Sequence, residues 1–175
     1  MKRRIMEKLK VAVFLLTIAF FTGCSDLDDN FAGVSRSPQE QLAFDIVRIE
    51  GYLEENDLTG FSQTADGLFY KIEEEGNGIT PQTGQTVFLD YLGTSVERTV
   101  FDQSPEGIPF EFVLGVGQVI EGWDLGIPLF NEDGSGTLIV PSTLAYGTQG
   151  VTVGGNFPIQ PNSILIFDIK IVALR

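Results

Sequence analysis

From residue 66 onward the chain alternates apolar and polar residues in short runs, each stopped by turn-forming residues, mostly glycine or proline. That period of two constrains the fold more than any other feature, because successive strand side chains point to opposite faces. Residues 86–91 place Val87, Leu89 and Tyr91 on one face, and residues 110–114 do the same for Phe110, Phe112 and Leu114. Residues 67–72, 137–140 and 164–172 are three further strand candidates, the last nearly continuous in apolar residues before Asp168 and Lys170. Between them, 119–127 is too rich in glycine for a long helix, yet Ile120, Trp123 and Ile127 fall on one face of a short one. Short strands with one small helix to cover their apolar face predict an α+β domain, an antiparallel sheet wrapped around that helix, over residues 66–175. The 20 glycines and 8 prolines supply the turns.

The start of the chain reads differently. Lys2, Arg3, Arg4, Lys8 and Lys10 precede an apolar run, residues 11–21, that is too short for an ordinary membrane span and suits the core of a signal peptide. The run ends in Phe21-Thr22-Gly23-Cys24, which resembles a lipobox with Phe21 where leucine is usual. Cys24 is the only cysteine, so no internal disulfide can form. We expect 1–23 to be a signal peptide and Cys24 to carry the lipid of a bacterial cell-envelope lipoprotein, since stable anchoring needs at least two acyl chains. An incidental thiol beside an ordinary cleavage site is the duller alternative. Ser25 after the cysteine favours the outer membrane, facing periplasm or exterior, and Asp26, Asp28 and Asp29 are similar to surface-export signals of some bacteria.

Residues 24–37 mix Ser, Asp, Asn and Gly without a period and read as a tether. Ser37-Pro38-Gln39-Glu40 then has the form of a helix start, with a cap, a proline in first position and a glutamate three residues after the cap. Leu42, Ile46, Ile49 and Leu53 follow on one face, predicting an amphipathic helix that ends near Asn56, within a segment 38–65. The helix is short for pairing with a second copy. Packing on its own domain, and hence a monomer, is the expectation.

Composition removes several functions. The net charge is −13 although the basic residues crowd into the leader, so nucleic acid would be repelled. With no histidine, His-based catalysis and His-ligated metal sites are excluded. No metal and no cofactor are expected.

Six stretches in order, VFLDYLG, FDQS, PFEFVLG, VIEGWDLG, LIVPSTLAYG and PNSILIFDI, make residues 68–175 resemble the FKBP-type peptidyl-prolyl cis/trans isomerases. The resemblance implies the FKBP fold and a pocket floored by Trp123, walled by Tyr91, Phe101, Phe112, Val119, Ile120, Tyr146 and Phe167. Phe110 would support it, and Ile159 would reach in from the loop before the last strand. Asp102, the Tyr146 hydroxyl and the Ile120 N–H would be the polar groups at the rim, with Asp102 in a supporting role rather than as a general base. It also implies proline-containing polypeptides as substrates and assistance to the folding of envelope proteins. Residue by residue, each of these aromatics would pass as core packing, and Phe110 most readily.

Departures from the family pattern are visible as well. An arginine that commonly pairs with the aspartate is absent from residues 105–108, and Ile159-Gln160-Pro161 stands where Ile-Pro-Pro is usual. The loop 148–156 is slightly long, and no chaperone-type insertion interrupts the domain. Two other readings stay open: a non-catalytic module that binds proline-containing peptides or a partner protein, and a lipoprotein in which only the fold persists.

Overall fold

A computed structural model describes residues 36–153 and 156–175; the expected signal peptide, Cys24 and nearly all of the tether lie outside them. The elements run α1 (Pro38–Glu55), β1 (Ser62–Gln63), β2 (Phe69–Glu74), β3 (Thr86–Ser95), β4 (Val100–Gln103), β5 (Phe110–Val113) and α2 (Glu121–Gly126). They continue through a 3-10 turn (Ile127–Leu129), β6 (Ser135–Val140), a second 3-10 turn (Ser142–Leu144), β7 (Val151–Val153), β8 (Asn156–Ile159) and β9 (Leu165–Leu174). The main sheet has the order β1-β2-β6-β9-β3-β4, with β5 also on β3, and every pairing is antiparallel. β7 and β8 pair with each other as a separate hairpin.

The alternation in the sequence becomes a two-sided core. Val87 and Leu89 of β3, Leu138 and Val140 of β6, and Ile169 and Ile171 of β9 face Trp123 and Ile127. Ile139, between Leu138 and Val140 of β6, and Ile166 of β9 turn to the opposite face and meet Ile49 of α1 together with Phe69 and Ile164. The sheet therefore lies between α2 and α1, the antiparallel α+β arrangement that the periodicity predicts. The helix start is also where it was expected: Ser37 Oγ accepts the Glu40 N–H at 3.3 Å while the Glu40 carboxylate accepts the Ser37 N–H at 2.8 Å.

One edge of β3 is split between two partners. β5 pairs with Thr86 to Leu89, and β4 pairs with Leu92 to Thr94. Between them the chain leaves the sheet over residues 104–109, and Ser104 bridges the gap. Its hydroxyl accepts the Tyr91 N–H at 3.1 Å and its own N–H donates to the Tyr91 carbonyl at 3.0 Å. β4 was not expected as a strand, because its burial pattern does not alternate and three of its four residues are exposed.

The glycines of α2 let it approach the sheet closely. A methyl group at Gly122 would overlap Val140 Cγ1, and one at Gly126 would stand 2.6 Å from Leu138 Cδ2. Val140 is β-branched and buried in the sheet, so its restricted χ1 leaves it little freedom to swing away. Gly122→Ala should cost about 1–3 kcal/mol by overpacking despite alanine's better helix propensity. Urea unfolding would show this as a lower midpoint at unchanged slope; a stabilised variant would contradict the close packing.

Candidate active site

The C-terminal half of β3, the edge strands β4 and β5, the N-terminus of α2 and the turn after residue 144 converge on one cavity of about 160 Å³. That volume holds a small ring and falls short of drug-sized pockets, which run to about 300–1,000 Å³. Trp123, 4% exposed, forms its floor. The Trp123 ring meets Tyr91 edge-on at 5.1 Å between centroids and Phe167 at 5.2 Å, with Phe110 at 5.9 Å. Phe101 stands perpendicular to Phe167 at 5.7 Å and completes the wall. Edge-to-face contacts of this kind hold rings at fixed angles, so the cavity is preformed rather than a gap between mobile side chains.

Val119 and Ile120 line the opening at the start of α2, where Ile120 is the N-cap residue in extended conformation. The loop leading to them is pinned from the helix itself: Asp124 accepts the Gly115 N–H at 2.8 Å and the Gly117 N–H at 3.0 Å. Among the described residues the Ile120 N–H has no acceptor, and the Tyr146 hydroxyl has no hydrogen-bond partner. Both remain available to a ligand.

Asp102 is exposed, and its carboxylate is fixed by two donors. The Tyr91 hydroxyl donates to Oδ2 at 2.7 Å, and the Gln103 N–H donates to Oδ1 at 2.9 Å. Among the described residues no lysine or arginine pairs with it. Tyr91 and a backbone amide thus do the holding in a site that lacks the expected arginine. Burial pushes the Tyr91 phenol well above its ordinary value, and the hydrogen bond to Asp102 adds to the shift. Burial also raises the Tyr146 phenol, with the Asp102 charge as the second cause.

Both phenols are therefore protonated donors throughout the physiological range, and their raised values favour the folded state at every pH below the ordinary phenol value of about 10. That contribution should fade only as pH rises from there through the raised values. In an ultraviolet titration at 295 nm, Tyr91→Phe and Tyr146→Phe should each remove one late-ionising phenol, and loss of an early one would refute the assignment.

The cavity gathers Tyr91, Phe101, Asp102, Phe110, Val119, Ile120, Trp123, Tyr146 and Phe167 from the expected set. Two expected wall residues do not face it. Phe112 is 4% exposed and packs behind Trp123 at 5.7 Å, with Phe110 stacked on it at 6.0 Å and taking the position on the cavity. Ile159, the last residue of β8, is turned into the core at 7% exposure and borders a different groove, next to Phe101 and Leu165. Gln118 lines the cavity although nothing in the sequence marked it; its side-chain oxygen accepts the Val113 N–H at 2.8 Å.

Residues 77–172 match the family model of FKBP-type peptidyl-prolyl cis-trans isomerases, a span of more than half the chain and one that contains every residue of this cavity. The chain belongs to that family. It is 41% identical over 127 residues to the probable FKBP-type isomerase FkpA of Neisseria meningitidis, covering 71% of this chain and 44% of that protein. It is 43% identical over 104 residues to FK506-binding protein 1 of Saccharomyces cerevisiae, covering 57% of this chain and 86% of the relative. Among solved structures it is similar to FkpA from Escherichia coli, with a TM-score of 0.64, 31% identity, and coverage of 79% of this chain and 62% of that one. The chain thus spans less than half the length of the Neisseria relative and most of the yeast one. The fold is that of an FKBP, an antiparallel sheet with a short helix against it. In this FKBP-type domain the matched residues begin after α1, which lies outside them.

Proposed function

We propose that this FKBP-type protein catalyses peptidyl-prolyl cis/trans isomerisation on polypeptides of the bacterial cell envelope, held at the membrane by lipid on Cys24. The observation that carries the reading is a preformed aromatic cavity of about 160 Å³ with two unused hydrogen-bond donors at its mouth.

Rotation about an X–Pro bond is opposed by amide resonance, with a barrier of ~18–20 kcal/mol and uncatalysed times of tens to hundreds of seconds. Nothing has to be broken, so the chemistry asks for no nucleophile and no proton transfer. The cavity supplies an apolar seat for the prolyl ring on the Trp123 face. Closing the seat strips water from the amide, and the planar, charge-separated form loses more by that than the twisted form. The Ile120 N–H and the Tyr146 hydroxyl can hold a substrate carbonyl as the bond turns, an interaction that helps only if it strengthens toward the twisted geometry. Asp102 keeps the Tyr91 ring upright against Trp123.

The test is line-broadening or protease-coupled measurement of prolyl exchange in an Ala-Leu-Pro-Phe peptide. Acceleration by the wild type, with a loss of up to about tenfold in Tyr146→Phe for one missing hydrogen bond, supports catalysis. A folded protein that does not accelerate exchange would leave the second reading, a module that only holds proline-containing peptides. Ile108 and Phe110, exposed at 64% and 38%, are the observation that favours it. For the anchor, mass spectrometry of the mature protein should find an acylated Cys24, and Cys24→Ala should release the chain from the membrane fraction.

A further inference from the structure

Asp45 lies in the middle of α1 with no exposed surface, an unusual place for a carboxylate. Its Oδ2 accepts both the N–H of Ser142 at 2.8 Å and the Ser142 hydroxyl, while Oδ1 accepts the Gln41 side-chain amide at 2.7 Å. Ser142 is itself fully buried. The three donors satisfy the buried charge, and the link joins residues 97 positions apart in sequence.

What Ser142 does next gives the link its meaning. Its carbonyl oxygen accepts the N–H of Ala145 at 3.1 Å and the N–H of Gly147 at 2.9 Å. Those two residues bracket Tyr146, whose hydroxyl has no partner among the described residues to orient it. The far side of the same loop is tied at Gly147, whose carbonyl accepts the Asn162 N–H at 2.7 Å. On the near side, the backbone that aims Tyr146 hangs from Ser142, and Ser142 hangs from Asp45. α1 lies outside the residues that match the family model.

We propose that Asp45 is a positioning residue for prolyl isomerisation, acting through Ser142 to set the Tyr146 loop at the mouth of the cavity. The inference rests on the isomerase reading above, in which Tyr146 contacts the substrate. α1 is then part of the active-site scaffold rather than a spacer between anchor and domain.

The experiment measures prolyl exchange with the full chain in mild detergent, for Asp45→Asn, Ser142→Ala and the double exchange Asp45→Asn/Gln41→Glu, each alone and combined with Tyr146→Phe. Asp45→Asn should lower kcat/KM by about three- to tenfold, mostly in kcat, and by no more than Tyr146→Phe does. In the Tyr146→Phe background the same change should cost less than about twofold, because the group it positions is already gone. The double exchange reverses the donor and acceptor between positions 41 and 45 while preserving total charge. The asparagine oxygen still receives Ser142 and its amide meets the new carboxylate, so activity should return to within about threefold of wild type. If the Asp45 variants fail to fold, Ser142→Ala, which deletes one hydroxyl only, carries the same comparison with a smaller loss.

Equal losses with and without the Tyr146 hydroxyl would make Asp45 a general stabiliser and overturn the proposal, as would a folded Asp45→Asn protein of wild-type rate. A Tyr146→Phe protein of undiminished activity is a different failure. It would remove the assigned role of Tyr146 in catalysis whatever the Asp45 variants do. Ile49→Val, which trims α1 where it packs with Phe69, Ile139, Ile164 and Ile166 and keeps all three donors to Asp45, should leave the rate unchanged.

Discussion

Asp102→Leu is expected to lower kcat/KM between about tenfold and a hundredfold, the value of one charge-assisted hydrogen bond lost from a preorganised site. The carboxylate's partners are the Tyr91 hydroxyl and the Gln103 N–H, both at its own rim. Removing it frees the Tyr91 ring, which meets Trp123, Phe110 and Phe167 and thereby shapes the seat. Because Asp102 is exposed, its pair with Tyr91 is screened by water and contributes little to global stability. The melting temperature should hardly move while activity falls. Tyr91→Phe should lose a similar factor, and the double variant should be little worse than either single one, since both break one bond. Additive losses would mean that Asp102 meets the substrate directly.

Trp123 is the second position where a large effect is expected, and two effects compete there. The ring is 4% exposed and meets four other aromatics, so Trp123→Ala should cost about 3–5 kcal/mol and abolish measurable exchange. Trp123→Phe removes less volume, and it also removes a liability. The indole Nε1–H is buried without a hydrogen-bond partner among the described residues, a state that costs about 1–3 kcal/mol. The lost packing and the relieved indole N–H should nearly cancel, leaving stability within about 1 kcal/mol of wild type and an aromatic floor still in place. Chemical denaturation of the two variants side by side decides it. A Phe variant as unstable as the Ala variant would show that the indole N–H is satisfied in solution, by an ordered water or otherwise.

The parts of the site legible in the sequence are those that a local period controls. Tyr91 follows from the alternation of β3, and Trp123 from the spacing of α2. Phe110 and Phe112 share a face of β5, and a period of two cannot say which of them reaches the cavity; the stacking of one on the other decides it. The direction of Ile159 is set by the β7–β8 hairpin, through pairing with Val151, and no alternation announces that hairpin. Gln118 is a polar residue in a glycine turn and is recruited only by the Val113 amide.

α1 shows the same limit. The apolar residues Leu42, Ile46, Ile49 and Leu53 mark the helix and its inner face, but the positions sunk deepest are Gln41, Asp45 and Ile49. The inner face is rotated toward a carboxylate that takes two of its three donors from Ser142, 97 residues further along the chain. A polar residue buried for a distant partner looks, in sequence, like one bound for solvent.

Both borders of the sheet are poor templates for another strand. On one side β1 has only two residues. On the other, the border of β3 is divided between β4 and β5, with Ser104 closing the interval through its hydroxyl and its amide. A continuous exposed border recruits extended chain by main-chain hydrogen bonds, which is how sheets grow into aggregates. Unfolded polypeptide is the material that the proposed isomerase would meet. A border broken in this way would let such a chain be gripped by one side chain in the cavity and then let go, without being stitched into the sheet.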